Sequence, residues 1–325
     1  MIRTTVIGVL AAAMTVACGS TEPAAEGGSS SETTNGGSST APASAQTTSG
    51  GETTGGVEES GESTGSADST TTGSSDMDRS PGCDGGDPNA IPATVEIDGV
   101  DREFLFVLPD DYDPTRAYPL VFAWHARGTN GAIARVYYQV EEASEGNAIF
   151  VYPDGLPQET SGGETGWNLS PTGYDVLFFD ELYAQATNNL CIDQSRVFST
   201  GHSFGGFMSN FIGCVRGEFF RAIAPVAGGG PQGTCSGPMA AWIAHGTVDP
   251  TVPFAVGEAS YDYWRDLNGC TEDPVAVEPS PCVIHESCDA GVPLTWCEHN
   301  ETMPLEGHHW PTWAGDAIWD FFAQF

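Results

Sequence analysis

The chain has 325 residues, and its ten basic side chains, all arginine, face 44 acidic ones for a formal net charge of −34. A field of that sign repels polyanions, which excludes nucleic acid as a partner and disfavours an anionic membrane surface. No aromatic residue precedes Phe104, so the N-terminal stretch has too little to bury, and the fold is expected in the roughly 240 residues from about Cys83 onward.

The chain opens on a short segment whose only side-chain charge is Arg3, followed by an apolar run of 12 residues, Val6 to Ala17. That run is too short to span a bilayer comfortably and reads as a signal-peptide core. It leads into Val16-Ala17-Cys18-Gly19-Ser20, which resembles a bacterial lipobox, although Thr15 stands where a leucine is usual. Residues 1–18 are therefore read as an export signal with Cys18 as the lipidation site, ordinary cleavage and free secretion being the alternative. Residues 19–82 are Gly, Ser, Thr and Glu almost throughout, the composition of a disordered linker that holds a domain away from a surface.

Eight cysteines remain beyond Cys18: Cys83, Cys191, Cys214, Cys235, Cys270, Cys282, Cys288 and Cys297. An even set in an exported domain predicts up to four disulfides. A zinc site from Cys282, Cys288, Cys297 and His299 is the weaker alternative, there being no C-x-x-C pair, and no metal or cofactor is expected.

From Thr94 the texture alternates between strand and helix. Thr94–Asp98 and Glu103–Pro109 flank Asp98-Gly99, a hairpin signal. Pro119–His125 and Ala148–Tyr152 are apolar enough for strands buried on both faces, with a helix at roughly 131–145 between them. Phe178–Asn189 has helical spacing. Strand Arg196–Thr200, helix Phe204–Val215, strands Ala222–Val226 and Ala241–His245, a helix near 255–267 and a last helix Ala314–Phe325 complete residues 83–325. Strands separated by helices indicate crossover units, an α/β fold with a mostly parallel sheet and helices on both faces.

Gly201-His202-Ser203-Phe204-Gly205 is a G-x-S-x-G motif, preceded by a strand and followed by a helix. That context is the one a nucleophile elbow requires, and it lifts Ser203 to the N-terminus of a helix. A serine needs a base, and the base an orienting acid. Asp249 follows the strand ending at His245, at the sheet edge where open α/β sheets gather their chemistry. The base then falls in Gly307-His308-His309-Trp310-Pro311, and chain order does not choose between His308 and His309.

Four segments carry a family resemblance: Pro119–His125 with its following loop, Gly201–Gly206, His245-Gly-Thr-Val-Asp249-Pro-Thr-Val-Pro253, and Gly307-His308-x-Trp310-Pro311. Together they resemble the esterase family that contains polyhydroxybutyrate depolymerases and feruloyl esterases, within the α/β-hydrolase superfamily. The resemblance implies that His308, directly after the glycine, is the base. It also implies an oxyanion hole from the backbone N–H groups of Phe204 and Arg127, where the family's usual glycine and cysteine are replaced by Ala126 and Arg127. Trp167 and Trp310 match positions lining the family's substrate cleft, core tryptophans being the alternative reading.

The expected function is an exported serine esterase, extracellular or lipid-anchored at the bacterial surface, with membrane contact only through Cys18. Aryl cell-wall esters, hydroxyalkanoate polyesters and acetylated xylan are its candidate substrates. A peptidase on the same fold and a non-catalytic surface-binding protein are the alternatives. One disulfide is predicted from geometry. A helix carrying Cys214 back from the elbow covers roughly 16 Å, close to the 17–20 Å of a strand of about five or six residues leading up from Cys191, so the two should meet.

Overall fold

The computed structural model describes residues 78–231 and 233–325. The expected signal segment, Cys18 and residues 19–77 of the expected linker lie outside the described residues. Residues 79–82, assigned to the linker by composition, pack onto the domain. Arg79 forms an antiparallel bridge with Asp193, and the buried Ser80 hydroxyl donates to the Leu190 carbonyl at 2.7 Å and accepts the Ile192 N–H at 2.8 Å.

The strands are β1 (Thr94–Ile97), β2 (Val100–Val107), β3 (Tyr118–Trp124), β4 (Ile149–Pro153), β5 (Leu156–Pro157), β6 (Thr165–Gly166), β7 (Ile192–His202), β8 (Ala222–Val226), β9 (Ala240–Gly246), β10 (Val275–Ala276), β11 (Cys282–His285) and β12 (Leu294–His299). The helices are α1 (Gly131–Tyr138), α2 (Val140–Ala143), α3 (Tyr174–Asn189), α4 (Phe204–Val215), α5 (Phe254–Leu267) and α6 (Ala314–Phe322). All but β5 and β6 join one sheet in the order β1-β2-β4-β3-β7-β8-β9-β12-β11-β10. Its central run from β4 to β12 is parallel, and both flanks are antiparallel. From β3 the chain steps to one side, to β4, and then crosses to the other, to β7. Ser203 follows β7 at this reversal, the crevice where open α/β sheets bind ligands.

Period-two alternation sorts the side chains of β3 between two cores. Leu120, Phe122 and Trp124 pack with α3, α4 and α5 through Phe178, Phe179, Met208, Phe211 and Trp264. Val121 and Ala123 pack on the opposite face with α1 and α6 through Tyr138, Ala314, Ile318 and Phe322. Buried on both faces, β3 has no polar side chain facing solvent, which is why it reads as a continuous apolar run.

Three expectations are corrected. The helix near 131–145 is two helices, broken at Gln139 with φ 58°. α6 packs closely against this break, where a Cβ on Gly315 would meet the Tyr138 carbonyl oxygen at 2.8 Å. The cysteine-rich stretch contributes β10, β11 and β12, a second antiparallel flank that the sequence reading left without strands.

Cys191 does not pair with Cys214: the disulfides are Cys83–Cys191, Cys214–Cys235, Cys270–Cys288 and Cys282–Cys297. The strand before the elbow is longer than expected, for Tyr118 pairs with Ile192 and Trp124 with Gly201. Seven residues of β3 thus separate Cys191 from the elbow, roughly 23 Å, whereas eleven residues of α4 return only about 16 Å. The segment locked by Ser80 meanwhile lays Cys83 beside Cys191. Disulfide bonding of Cys282, Cys288 and Cys297 also removes the zinc alternative.

Candidate active site

Ser203 stands between β7 and α4 with φ 55° and ψ −119°, a conformation costing on the order of 1–3 kcal/mol for a residue with a side chain. Its surroundings hold it there. The Ser203 N–H donates to the Val226 carbonyl at 2.9 Å, and the Ser203 carbonyl accepts the Phe207 N–H at 3.0 Å. A Cβ on Gly205 would collide with the Trp124 carbonyl oxygen, so glycine lets α4 start directly against β3.

His308 follows a turn in which Glu306 and Gly307 have φ 50° and 96°, and its N–H donates to the Leu305 carbonyl at 2.8 Å. His308 Nε2 lies 2.9 Å from Ser203 Oγ and Nδ1 lies 2.7 Å from Asp249 Oδ2. Asp249 Oδ1 is occupied by the N–H groups of Thr251 at 2.8 Å and Val252 at 2.9 Å, which fixes the carboxylate plane and leaves Oδ2 for the imidazole. With Nδ1–H donating to the carboxylate, the Nε2 lone pair faces the serine hydroxyl. Ser203, Asp249 and His308 are thus brought together in one hydrogen-bonded line. His309 points elsewhere, its Nε2 lying 3.1 Å from Glu301 Oε2.

Two neighbouring histidines shape this line electrostatically. The His202 ring centroid lies 5.0 Å from that of His308, and burial holds its pKa well below the usual histidine value. It therefore stays neutral at neutral pH and places no like charge beside His308. His245 donates through Nε2 to the Val252 carbonyl at 2.8 Å, and burial also lowers its pKa.

The loop after β3 is clamped from both sides. His125 contacts the Ala126 carbonyl through Nδ1 at 2.7 Å and accepts the Gly155 N–H on Nε2 at 2.8 Å. Trp167 Nε1–H donates to the His125 carbonyl at 2.9 Å. Arg127, the next residue but one, and Phe204 at the start of α4 both border the cavity in front of Ser203. The Phe204 N–H lies in the first helical turn, where backbone donors have no intrahelical acceptor.

That cavity encloses about 730 Å³ and is walled largely by Ile133, Tyr137, Leu169, Phe204, Phe207, Val252 and Leu305. Neither tryptophan expected in the cleft is among its lining residues. Trp167 is 2 % exposed and braces the His125 carbonyl, while Trp310 is 4 % exposed and stacks on Tyr138 at 4.3 Å between ring centroids. Each matches the motif in sequence, but its indole is consumed by packing behind the site. The sequence reading missed Tyr138, whose hydroxyl donates to the Trp124 carbonyl at 2.8 Å and accepts the His202 N–H at 3.1 Å. Among the described residues no His, Cys, Asp and Glu grouping could hold a metal ion.

No protein-family model matches the chain. Among curated proteins, feruloyl esterase D of Neurospora crassa is 32 % identical over 260 residues, covering 73 % of this chain and 87 % of that protein. Feruloyl esterase C of Emericella nidulans is 32 % identical over 259 residues, covering 75 % and 90 %. The chain belongs to the feruloyl esterase family. It is a carboxylic ester hydrolase. A probable feruloyl esterase C of Aspergillus niger is 37 % identical over 207 residues, 61 % of this esterase and 72 % of the relative. Among solved structures, an acetyl xylan esterase from Aspergillus awamori matches 71 % of the esterase and 98 % of its own chain, with a TM-score of 0.55 at 16 % identity. At that identity the likeness shows the shared fold, the α/β-hydrolase fold.

Proposed function

We propose that this protein is an exported serine esterase of aryl, feruloyl-type esters, with Ser203 as nucleophile, His308 as base and Asp249 as its orienting acid. The observation that carries the reading is the line from Ser203 Oγ through His308 Nε2 and Nδ1 to Asp249 Oδ2, with contacts of 2.9 and 2.7 Å. His308 takes the serine proton as Oγ attacks the ester carbonyl, and Asp249 stabilises the imidazolium that forms. The N–H groups of Phe204 and Arg127 hold the oxyanion, each such donor contributing a few kcal/mol in the transition state. His308 then protonates the leaving alcohol, and a water activated by the same imidazole releases the acid.

The apolar, aromatic wall of Phe204, Phe207 and Tyr137 suits a planar acyl group, and the relatives named above are feruloyl esterases. Four disulfides favour an oxidising compartment, which agrees with export through residues 1–18 and, where Cys18 is lipidated, with tethering through the linker. Hydrolysis of methyl ferulate, a hydroxybutyrate oligomer and acetylated xylan by the purified protein tests the substrate. Methyl ferulate should have the highest kcat/KM, and faster turnover of either other ester would overturn the assignment.

A further inference from the structure

Arg127 is the only permanently charged side chain among the residues lining the cavity at Ser203. Four other arginines, Arg102, Arg135, Arg216 and Arg265, each hold a carboxylate at 3.0 Å or closer. Acids outnumber arginines 34 to eight across residues 83–325, so carboxylate partners are plentiful. Among the described residues Arg127 makes no ion pair, as is also true of Arg116, Arg196 and Arg221, but of these four it alone lines the cavity at Ser203. Glu164 is close to the same loop, its Oε1 standing 3.3 Å from where a Cβ on Gly128 would be, and Arg127 does not engage it. The guanidinium lies instead 5.6 Å from the centre of the Phe204 ring. That ring is itself pinned against Gly166, where a Cβ would collide with it. Stacking on an aromatic face orients the guanidinium plane and leaves N–H donors on its edge unused. Arg127 and Ser203 line the same cavity, so an unpaired cation stands at the cavity that holds the serine hydroxyl.

We infer that Arg127 selects esters bearing an anionic group, a carboxylate on the acyl or the alcohol half, close to the bond that is cleaved. The inference rests on the esterase reading of this site and deepens it. The domain's charge of −26 over residues 83–325 repels an anionic substrate at long range. Arg127 is exposed at the border of this cavity, where a cation counters that repulsion close to the ester's binding place, and a guanidinium can grip a carboxylate through two parallel hydrogen bonds.

The test uses the full chain as wild type, Arg127→Gln and Arg127→Lys, with two matched ester pairs. One pair places the charge on the acid, 4-nitrophenyl hexanoate against mono-4-nitrophenyl adipate. The other places it on the alcohol, methyl ferulate against carboxymethyl ferulate. The quantity read is the anionic-to-neutral ratio of kcat/KM, in which any change at the backbone N–H of residue 127 cancels. In Arg127→Gln the ratio should fall about tenfold for at least one pair, the scale of a hydrogen bond between charged partners. In Arg127→Lys it should stay within about threefold of wild type, and molar NaCl should shrink the wild-type preference. Ratios within about twofold of wild type for both pairs in Arg127→Gln would overturn the inference alone. Hydrolysis of none of the four esters by the wild-type protein would overturn the esterase reading together with it.

Discussion

His245 Nε2 lies 3.5 Å from Asp249 Oδ2, the same oxygen that His308 Nδ1 approaches at 2.7 Å. His245 lies in β9 and Asp249 in the loop after it, and the His245 Nε2–H, donated to the Val252 carbonyl at 2.8 Å, fixes the loop that carries Asp249. Packing fixes the ring in turn, because a Cβ on Gly257 would collide with it. His245→Gln should therefore lower kcat by about tenfold, through misplacement of the carboxylate, with KM changing less than about twofold. A rise in KM at constant kcat would show that His245 acts on substrate binding instead.

His308→Ala should reduce ester hydrolysis by at least about a thousandfold, the scale of losing a base that acts as a unit with its serine. His309→Ala should leave most of the activity, because His309 contacts Glu301 at 3.1 Å and not the serine. Steady-state kinetics on the two variants, with circular dichroism to verify folding, separates them. The reverse ranking would move the base to His309.

Thermal stability should decline as pH falls below about 6.5. Burial lowers the pKa of His125, His202 and His245 in the folded state, and that of His299 to about 4. An unfolded histidine titrates near about 6.5, so below that value the unfolded chain binds more protons than the folded one. Stability is thus full above about 6.5 and drains away as pH drops toward the folded values. Melting curves between pH 8 and 4 should show this, and His299→Asn should flatten the slope. A Tm that rises on acidification through this range would contradict the assignment of buried neutral histidines.

That Ser203, Asp249 and one histidine of the two-histidine segment would meet was legible because the proposed chemistry asks for fixed residue types at fixed topological places: glycines at the tight turn, an acid after a later strand, a histidine before the last helix. The central strands were legible for a similar reason, burial on both faces leaving an apolar run. The second antiparallel flank was not, since Pro279, Pro281 and the cysteines interrupt β-alternation around β11, while the Cys282–Cys297 disulfide ties β11 to β12. Nor could composition distinguish a tryptophan facing substrate from Trp167, whose indole N–H braces a carbonyl behind the site. Pairing of Cys191 with Cys83 was hidden because the linker's composition continues to Gly82, although its last residues are ordered by Ser80.

Non-reducing peptide mapping should recover Cys83–Cys191 and the three other pairs. The Cys83–Cys191 bridge spans a sequence separation of 108, for which the chain-entropy model gives about 4.7 kcal/mol as an upper figure. The Cys83→Ser, Cys191→Ser double variant should lose about 2–4 kcal/mol in urea denaturation. Recovery of a Cys191–Cys214 peptide would restore the pairing the sequence predicted and contradict the fold described for residues 79–83.

If Ser203 is the group that attacks the ester, an active-site titrant should react with it and with no other residue. The protein is treated with one equivalent of a 4-nitrophenyl phosphonate, residual hydrolysis of methyl ferulate is followed, and the labelled residue is located by tandem mass spectrometry. One phosphonyl group per chain is expected, on Ser203, with activity lost in proportion to labelling and no labelling of Ser203→Ala. Labelling at another residue, or hydrolysis that persists in fully labelled protein, would contradict it.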